Sequence, residues 1–167
     1  MDKKIILLLS AFFILLTAIA AFAIGGQKDN KATIQKTEGA SINILEYSKT
    51  VGDIHYNGGD LIESFPIKNT GTKDLEIANI ATSCMCTKAY LKTGDTKSEE
   101  FGMKGMTTPS NWKGIIKPGQ TAEIVADFDP KYHGPSGIGP IQRTVSFETN
   151  DIDHPYIEVG FSGTVIK

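Results

Sequence analysis

The chain has 167 residues, a formal net charge of −2 and 22% charged residues. Once an apolar N-terminal stretch is set aside, this length suits one domain of ordinary size. A nucleic-acid-binding protein needs a strongly basic face, and the charge balance here provides none. The composition therefore indicates one small domain and excludes nucleic acid as a partner.

The chain begins with a segment typical of membrane targeting. Two lysines precede an apolar run without charges at residues 5–24. A helix of this length covers about 30 Å, which is enough to cross a bilayer. The run is longer than most signal-peptide apolar regions, yet Ala21-Phe22-Ala23 fits a cleavage site. Residues 1–26 are therefore predicted to be either a transmembrane anchor or a cleaved signal peptide. Both alternatives place the remaining chain in the periplasm or at the cell surface.

The pattern changes twice after this segment. Residues 27–41 are polar and are expected to form a flexible linker. From residue 42 onward, short β-branched and aromatic runs alternate with polar residues at a period of two, and turn residues separate the runs. This pattern predicts an all-β, antiparallel β-sandwich of about seven strands over residues 42–167. Its predicted core contains Phe65, Ile67, Ile77, Ile124, Phe128, Val145, Phe147, Val159 and Phe161.

Residues 92–114 depart from the strand pattern. They are polar and rich in glycine, with Phe101, Met103, Met106 and Trp112 scattered among them. Loops of this length are uncommon inside compact domains and often carry function. We therefore expect an insertion loop here.

Several segments, taken in order, resemble a known family. FPIKNTGTKDLEIANIATSCMCTKAYL contains an Asn-Thr-Gly turn and a Ser-Cys-x-Cys-Thr signature, and IKPGQTAEIVADFDPKYHG contains a Pro-Gly turn and Phe-Asp-Pro. RTVSFETND and VGFSGTV resemble the family's closing pair of strands. Together they resemble the exported domain-of-unknown-function family numbered 1573, which is akin to ASPM–Hydin and major-sperm-protein-like domains. The resemblance implies an immunoglobulin-like sandwich outside the cytoplasm and no settled activity.

The sulfur-containing residues suggest a metal site. On a strand, residues i and i+2 face the same side, so the sulfurs of Cys84 and Cys86 are expected on one face. The glycine-flanked methionines of the insertion could fold over that face. His133 lies in a turn just after the predicted strand that ends at Phe128. Thiolate, thioether and imidazole are the ligands that Cu(I) prefers, whereas zinc gains little from thioether. The predicted soft-metal ligands are Cys84, Cys86, Met103, Met106 and His133.

Two other interpretations of these residues stay open. Cysteine and methionine also pack as ordinary apolar side chains, and a cysteine pair can be a thiol-redox centre if a cation such as Lys88 lowers the thiol pKa. The chain contains no nucleophile elbow, HExxH motif or phosphate-binding glycine loop. We therefore predict a non-catalytic binding domain, tethered to the membrane or released. Its predicted ligand is Cu(I) or another soft metal ion, and the alternative is a protein partner or structural role in the cell envelope.

Overall fold

A computed structural model of the chain describes residues 3–5, 12–17 and 31–167. Residues 3–5 and 12–17 are helical. The rest of the predicted apolar helix, the candidate cleavage site and linker residues 27–30 lie outside the described residues. None of the helices in the described part of the chain is long and apolar enough to cross a membrane.

Ten strands and a short 3₁₀ helix follow in the described residues. They are β1 (Ile42–Ile44), β2 (Ser48–His55), β3 (Leu61–Asn69), β4 (Leu75–Thr82), β5 (Thr87–Thr93), β6 (Thr96–Lys97), β7 (Lys113–Ile116), β8 (Thr121–Phe128), the 3₁₀ helix (Gly134–Gly137), β9 (Gly139–Thr149) and β10 (Tyr156–Ile166). They form two sheets with strand orders β1-β3-β8-β5-β6 and β2-β10-β9-β4-β7. The all-β prediction is confirmed. The predicted number of about seven was too low because β1, β6 and β7 contain only two to four residues each, too few to show a period of two.

One strand pair departs from the predicted antiparallel arrangement. Among the named strands, β2 and β10 pair in parallel, and the second sheet is therefore mixed. Their register shifts between Ser162 and Thr164. A Cβ at the intervening Gly163 would lie 2.7 Å from the carbonyl oxygen of Gly52, so the two backbones approach too closely for any other residue.

The core lies between the two sheets. All nine residues predicted for it are at most 2% exposed. In β3 the buried residues alternate at the period of two from which the core was predicted, whereas in β8 Val125 is buried as well as its neighbours Ile124 and Ala126. Burying each such side chain contributes roughly 1.5–3 kcal/mol. Phe128 ends β8 and packs edge-on against Phe161 with 5.8 Å between ring centroids, which extends the core to one end of the sandwich.

The range predicted for the flexible linker, residues 27–41, includes residues that belong to the sandwich unit. The compact unit that contains the sandwich begins at Lys31. The amide of Ala32 donates to the carbonyl of Ser110, and that of Thr37 donates to the carbonyl of Asn150, at 3.1 and 2.9 Å. Residues 31–41 are polar enough to suggest a linker, but their backbone groups bond to the sandwich.

The segment at 92–114 connects the two sheets. After the β5–β6 hairpin, Phe101 forms an antiparallel bridge with Ala89 of β5, and Met103 forms a parallel bridge with Thr82 of β4. The Phe101 ring lies 5.3 Å from that of Trp112. The segment therefore lies along the side of the sandwich where β4 and β5 are adjacent.

Candidate functional site

The two cysteines lie in a turn, not on a strand as predicted. Residues 83–86 connect β4 with β5, and the amide of Thr87 donates to the carbonyl of Cys84 at 3.2 Å. The turn is tied to β9, because the amide of Ser83 donates to the carbonyl of Thr144 at 3.0 Å. The two sulfurs still lie close together, because the chain reverses direction in this turn. Both cysteines are free thiols; Cys84 is partly exposed and Cys86 is buried.

His133 reaches the cysteine turn from the connection between β8 and β9. The amide of Asp129 donates to the carbonyl of Cys86 at 2.9 Å, which holds the start of this connection against the turn. The amide of Lys131 then donates to Asp129 Oδ1 at 2.7 Å, and the chain turns back so that His133 Nε2 lies 3.2 Å from Cys84 Sγ. The Tyr132 ring lies edge-on at 5.2 Å from the imidazole.

These three side chains could enclose one ion. The two sulfurs and a ring nitrogen of His133 all lie within 4.8 Å of one another. Metal–sulfur bonds are about 2.3 Å and metal–nitrogen bonds about 2.0 Å, so ligand atoms on one ion stand roughly 4 Å apart. Small side-chain adjustments would thus bring all three atoms onto a single ion. The prediction of Cys84, Cys86 and His133 as neighbours is supported by this geometry.

Arg143 adds a positive charge that sequence reasoning missed. Its Nε donates to Cys86 Sγ at 3.0 Å, and its Nη1 donates to the carbonyl of Gln142 at 2.8 Å. Its guanidinium carbon lies 5.4 Å from the centroid of the Phe128 ring. Lys88, the cation proposed from sequence, instead pairs with Glu100 at 3.1 Å. The available signal was that Arg143 is the single arginine of the chain.

The surroundings of the two thiols shift their pKa values in opposite directions. Burial raises the pKa of Cys84, but hydrogen bonds from Cys86 and His133 and the charge of Arg143 together lower it to about 7. Burial, followed by the bond to Cys84, raises the pKa of Cys86 against the opposing effect of Arg143. Neighbouring thiols lose their protons in succession. The pair therefore holds one negative charge at a pH where an isolated thiol is neutral.

The two methionines lie in the segment beside β4. Met103 lies opposite Thr82, two residues before Cys84, in a parallel bridge: the amide of Thr82 donates to the carbonyl of Gly102 at 2.9 Å, and the Thr82 carbonyl accepts from the amide of Lys104 at 3.2 Å. The amide of Met106 donates to the carbonyl of Met103 at 3.0 Å within a turn, and the Met106 side chain is 64% exposed. The structure thus brings together both cysteines and the histidine, and the role of the methionines as ligands stays a prediction.

With this geometry established, the chain can be compared with known families. Residues 42–103 match the family model described as protein of unknown function (DUF1573). The match confirms the resemblance found in the sequence over these residues. It spans β1–β6 and includes both cysteines, whereas His133 and Arg143 lie beyond it. The comparison with curated proteins found no match.

One solved structure supports the fold. A protein of unknown function from Porphyromonas gingivalis W83 is similar with a TM-score of 0.56 and 15% identity over 84% of this chain and 50% of that one. This chain thus spans half the length of that protein. An ASH/PapD-like domain of human CEP192 matches with a TM-score of 0.46 and 17% identity, over 80% of this chain and 91% of that domain. The periplasmic chaperone SfaE matches with a TM-score of 0.41 and 7% identity, over 76% and 59%. The likeness to the Porphyromonas gingivalis protein, at 15% identity, concerns the fold alone.

Proposed function

We propose that this domain binds one soft metal ion, Cu(I) before others, through Cys84, Cys86 and His133, and that it is a binding domain rather than an enzyme. The observation that supports the proposal is the convergence of two sulfurs and one imidazole nitrogen within 4.8 Å. Soft thiolate ligands favour Cu(I), and neutral imidazole completes a three-ligand set.

The position of the site suits an ion that binds from solution. Cys84 is partly exposed and His133 is exposed, whereas Cys86 is 3% exposed. An ion would therefore meet the outer two ligands first and then the buried sulfur. An ion between Cys84 and His133 would replace their direct contact. Because metal ligation requires deprotonated thiols, binding would also release protons.

The proposal includes action outside the cytoplasm, where an exported protein meets copper. Its support is the pair of lysines followed by the apolar run at residues 5–24. Mass spectrometry of the protein isolated from membranes would distinguish the two forms of export. A mature chain that begins at Ile24 indicates cleavage, and a retained residue 5–24 segment indicates an anchor.

A Cu(I) titration tests the metal site. The full chain, reduced and without oxygen, would compete with a chromophoric Cu(I) chelator, and we expect one ion per chain. Replacing both Cys84 and Cys86 with serine should abolish binding, because the thiolates supply the charge and the softness. Met85→Leu is the matched control, since Met85 lies between the cysteines and is 47% exposed. Unchanged copper stoichiometry in the double-serine variant would refute the proposal.

A thiol-redox role is a second candidate, favoured by one partly exposed and one buried free thiol in the same turn. The Cys84 thiolate would attack a partner's disulfide, forming a mixed disulfide and releasing one partner thiolate. Cys86 Sγ would then attack Cys84 Sγ, giving its proton to the second partner thiolate as that leaves. The pair is oxidised by two electrons and the partner disulfide is reduced. Equilibration with a glutathione redox buffer would show a Cys84–Cys86 disulfide by mass spectrometry if this role is correct.

A further inference from the structure

We infer that Arg143 makes the site of Cys84, Cys86 and His133 selective for a monovalent over a divalent soft ion. The inference rests on the proposed metal-binding function and adds the charge class of the ion. Arg143 contacts Cys86 through its Nε and is not itself a ligand, because a guanidinium has no free lone pair to offer a metal.

The guanidinium is held in a fixed place beside the sulfur. Arg143 lies on β9, and its two polar contacts, to Cys86 Sγ and to the carbonyl of Gln142, use different nitrogens. Its guanidinium carbon lies over the Phe128 ring, 5.4 Å from the ring centroid. The next residue, Thr144, exchanges two hydrogen bonds with Ser83, one through the Ser83 side chain and one through its amide, both at 3.0 Å. These bonds fix β9 and the cysteine turn in one register.

Counting charges gives the preference. Two thiolates, a neutral imidazole and a guanidinium sum to −1. A monovalent ion brings the cluster to neutrality, whereas a divalent ion leaves a net +1 next to the partly buried guanidinium. Repulsion between the guanidinium and the ion is twice as large for the divalent ion, and incomplete solvation strengthens it. The three protein ligands also leave zinc one short of its usual four, but that deficit does not depend on Arg143.

The test measures the ratio of Cu(I) to Zn(II) affinity in the full chain, kept in detergent because of its apolar N-terminus. Each ion is titrated against its own chromophoric chelator. Arg143→Gln should lower this ratio on the order of tenfold, because removing one positive charge favours the divalent ion more. Arg143→Lys, which keeps the charge, should stay near the wild-type ratio. Arg143→Met also removes the charge but keeps apolar packing on Phe128. It should lower the ratio as Arg143→Gln does, and it takes the place of the glutamine variant if that variant folds poorly.

The matched control removes a positive charge far from the site. Lys68 is exposed and pairs with Thr121 at the start of β8, while Thr87, next to Cys86, pairs with Phe128 at its end. Lys68→Gln should leave the ratio unchanged. If the wild type binds Cu(I) but the neutral Arg143 variants keep the wild-type ratio, this inference is wrong and the proposed function stands. If the wild type binds neither ion, both are wrong.

Discussion

Thr82 Oγ1 lies 2.9 Å from the carbonyl oxygen of Cys84. The same hydroxyl lies 2.9 Å from the carbonyl of Thr87, and Thr82 is 3% exposed. One buried hydroxyl therefore stands within hydrogen-bond distance of both ends of the cysteine turn. This side chain therefore adds to the backbone bonds from the Thr87 and Ser83 amides that hold the turn.

Replacing Thr82 with valine should destabilise the domain by about 1–3 kcal/mol, because it removes the buried hydroxyl proton that the carbonyls of Cys84 and Thr87 share. The turn should also loosen, so Cu(I) affinity should fall even though no ligand is changed. Urea unfolding measures the first effect and chelator competition the second. Thr82→Ser keeps the hydroxyl and should retain most of the affinity. A valine variant as stable as the wild type would show that the hydroxyl does not hold the turn.

The two thiols of the metal-free protein should react in a fixed order. Cys84 is partly exposed and its pKa is lowered to about 7, whereas Cys86 is buried and its pKa is raised. Since the thiolate is the reactive form, alkylation of Cys84 by iodoacetamide should accelerate as the pH rises through about 7. Cys86 should react later and at higher pH. Peptide mapping by mass spectrometry reports each site, and equal rates at the two cysteines would contradict the predicted asymmetry.

Asp151 should make the fold sensitive to acid. Its carboxylate accepts hydrogen bonds from the amides of Ile42 and Asp153, both at 2.9 Å, and lies 3.2 Å from His154 Nδ1. Burial raises the pKa of Asp151, but these bonds outweigh burial and hold the pKa below its ordinary value. Because the folded-state pKa is the lower one, the stabilisation is complete above the unfolded-state pKa of about 3.9. It is lost as the pH falls through the folded-state value.

Asp151→Asn should therefore lower the free energy of unfolding at pH 7 by roughly 1–3 kcal/mol. Urea unfolding at pH 7 and again near pH 3 should show the gap between variant and wild type narrowing in acid. Asp95→Asn, at an exposed position in the β5–β6 turn, serves as the control and should change stability little at either pH. A gap that is equally wide at both pH values would assign the loss to packing rather than to ionisation.

The period-two pattern was sufficient to predict the all-β fold and the core, because each long strand repeats it several times. It could not reveal that β2 pairs with β10 in parallel, since the pairing of strands far apart in the chain does not change the alternation of residues within each strand. The cysteines and His133 were predicted to lie together because their side chains are all ligands of soft metal ions. The turn that contains the two cysteines was wrongly predicted to be a strand. Arg143 was missed because it reaches Cys86 across 57 positions of sequence through the β4–β9 register, which no spacing rule encodes.

Phe128 links the core to the candidate site, and a paired comparison with Phe147 should separate stability from selectivity. Both phenylalanines are at most 2% exposed, but Phe128 also lies beneath the Arg143 guanidinium. Phe128→Leu and Phe147→Leu should each cost roughly 0.5–3 kcal/mol of stability, as typical core substitutions do. Without the Phe128 ring the guanidinium loses its cation–π partner and is less firmly held against Cys86. The ratio of Cu(I) to Zn(II) affinity should therefore fall in Phe128→Leu and stay at the wild-type value in Phe147→Leu. Equal shifts in the two variants would mean that the ratio follows general loosening of the core instead of the position of Arg143.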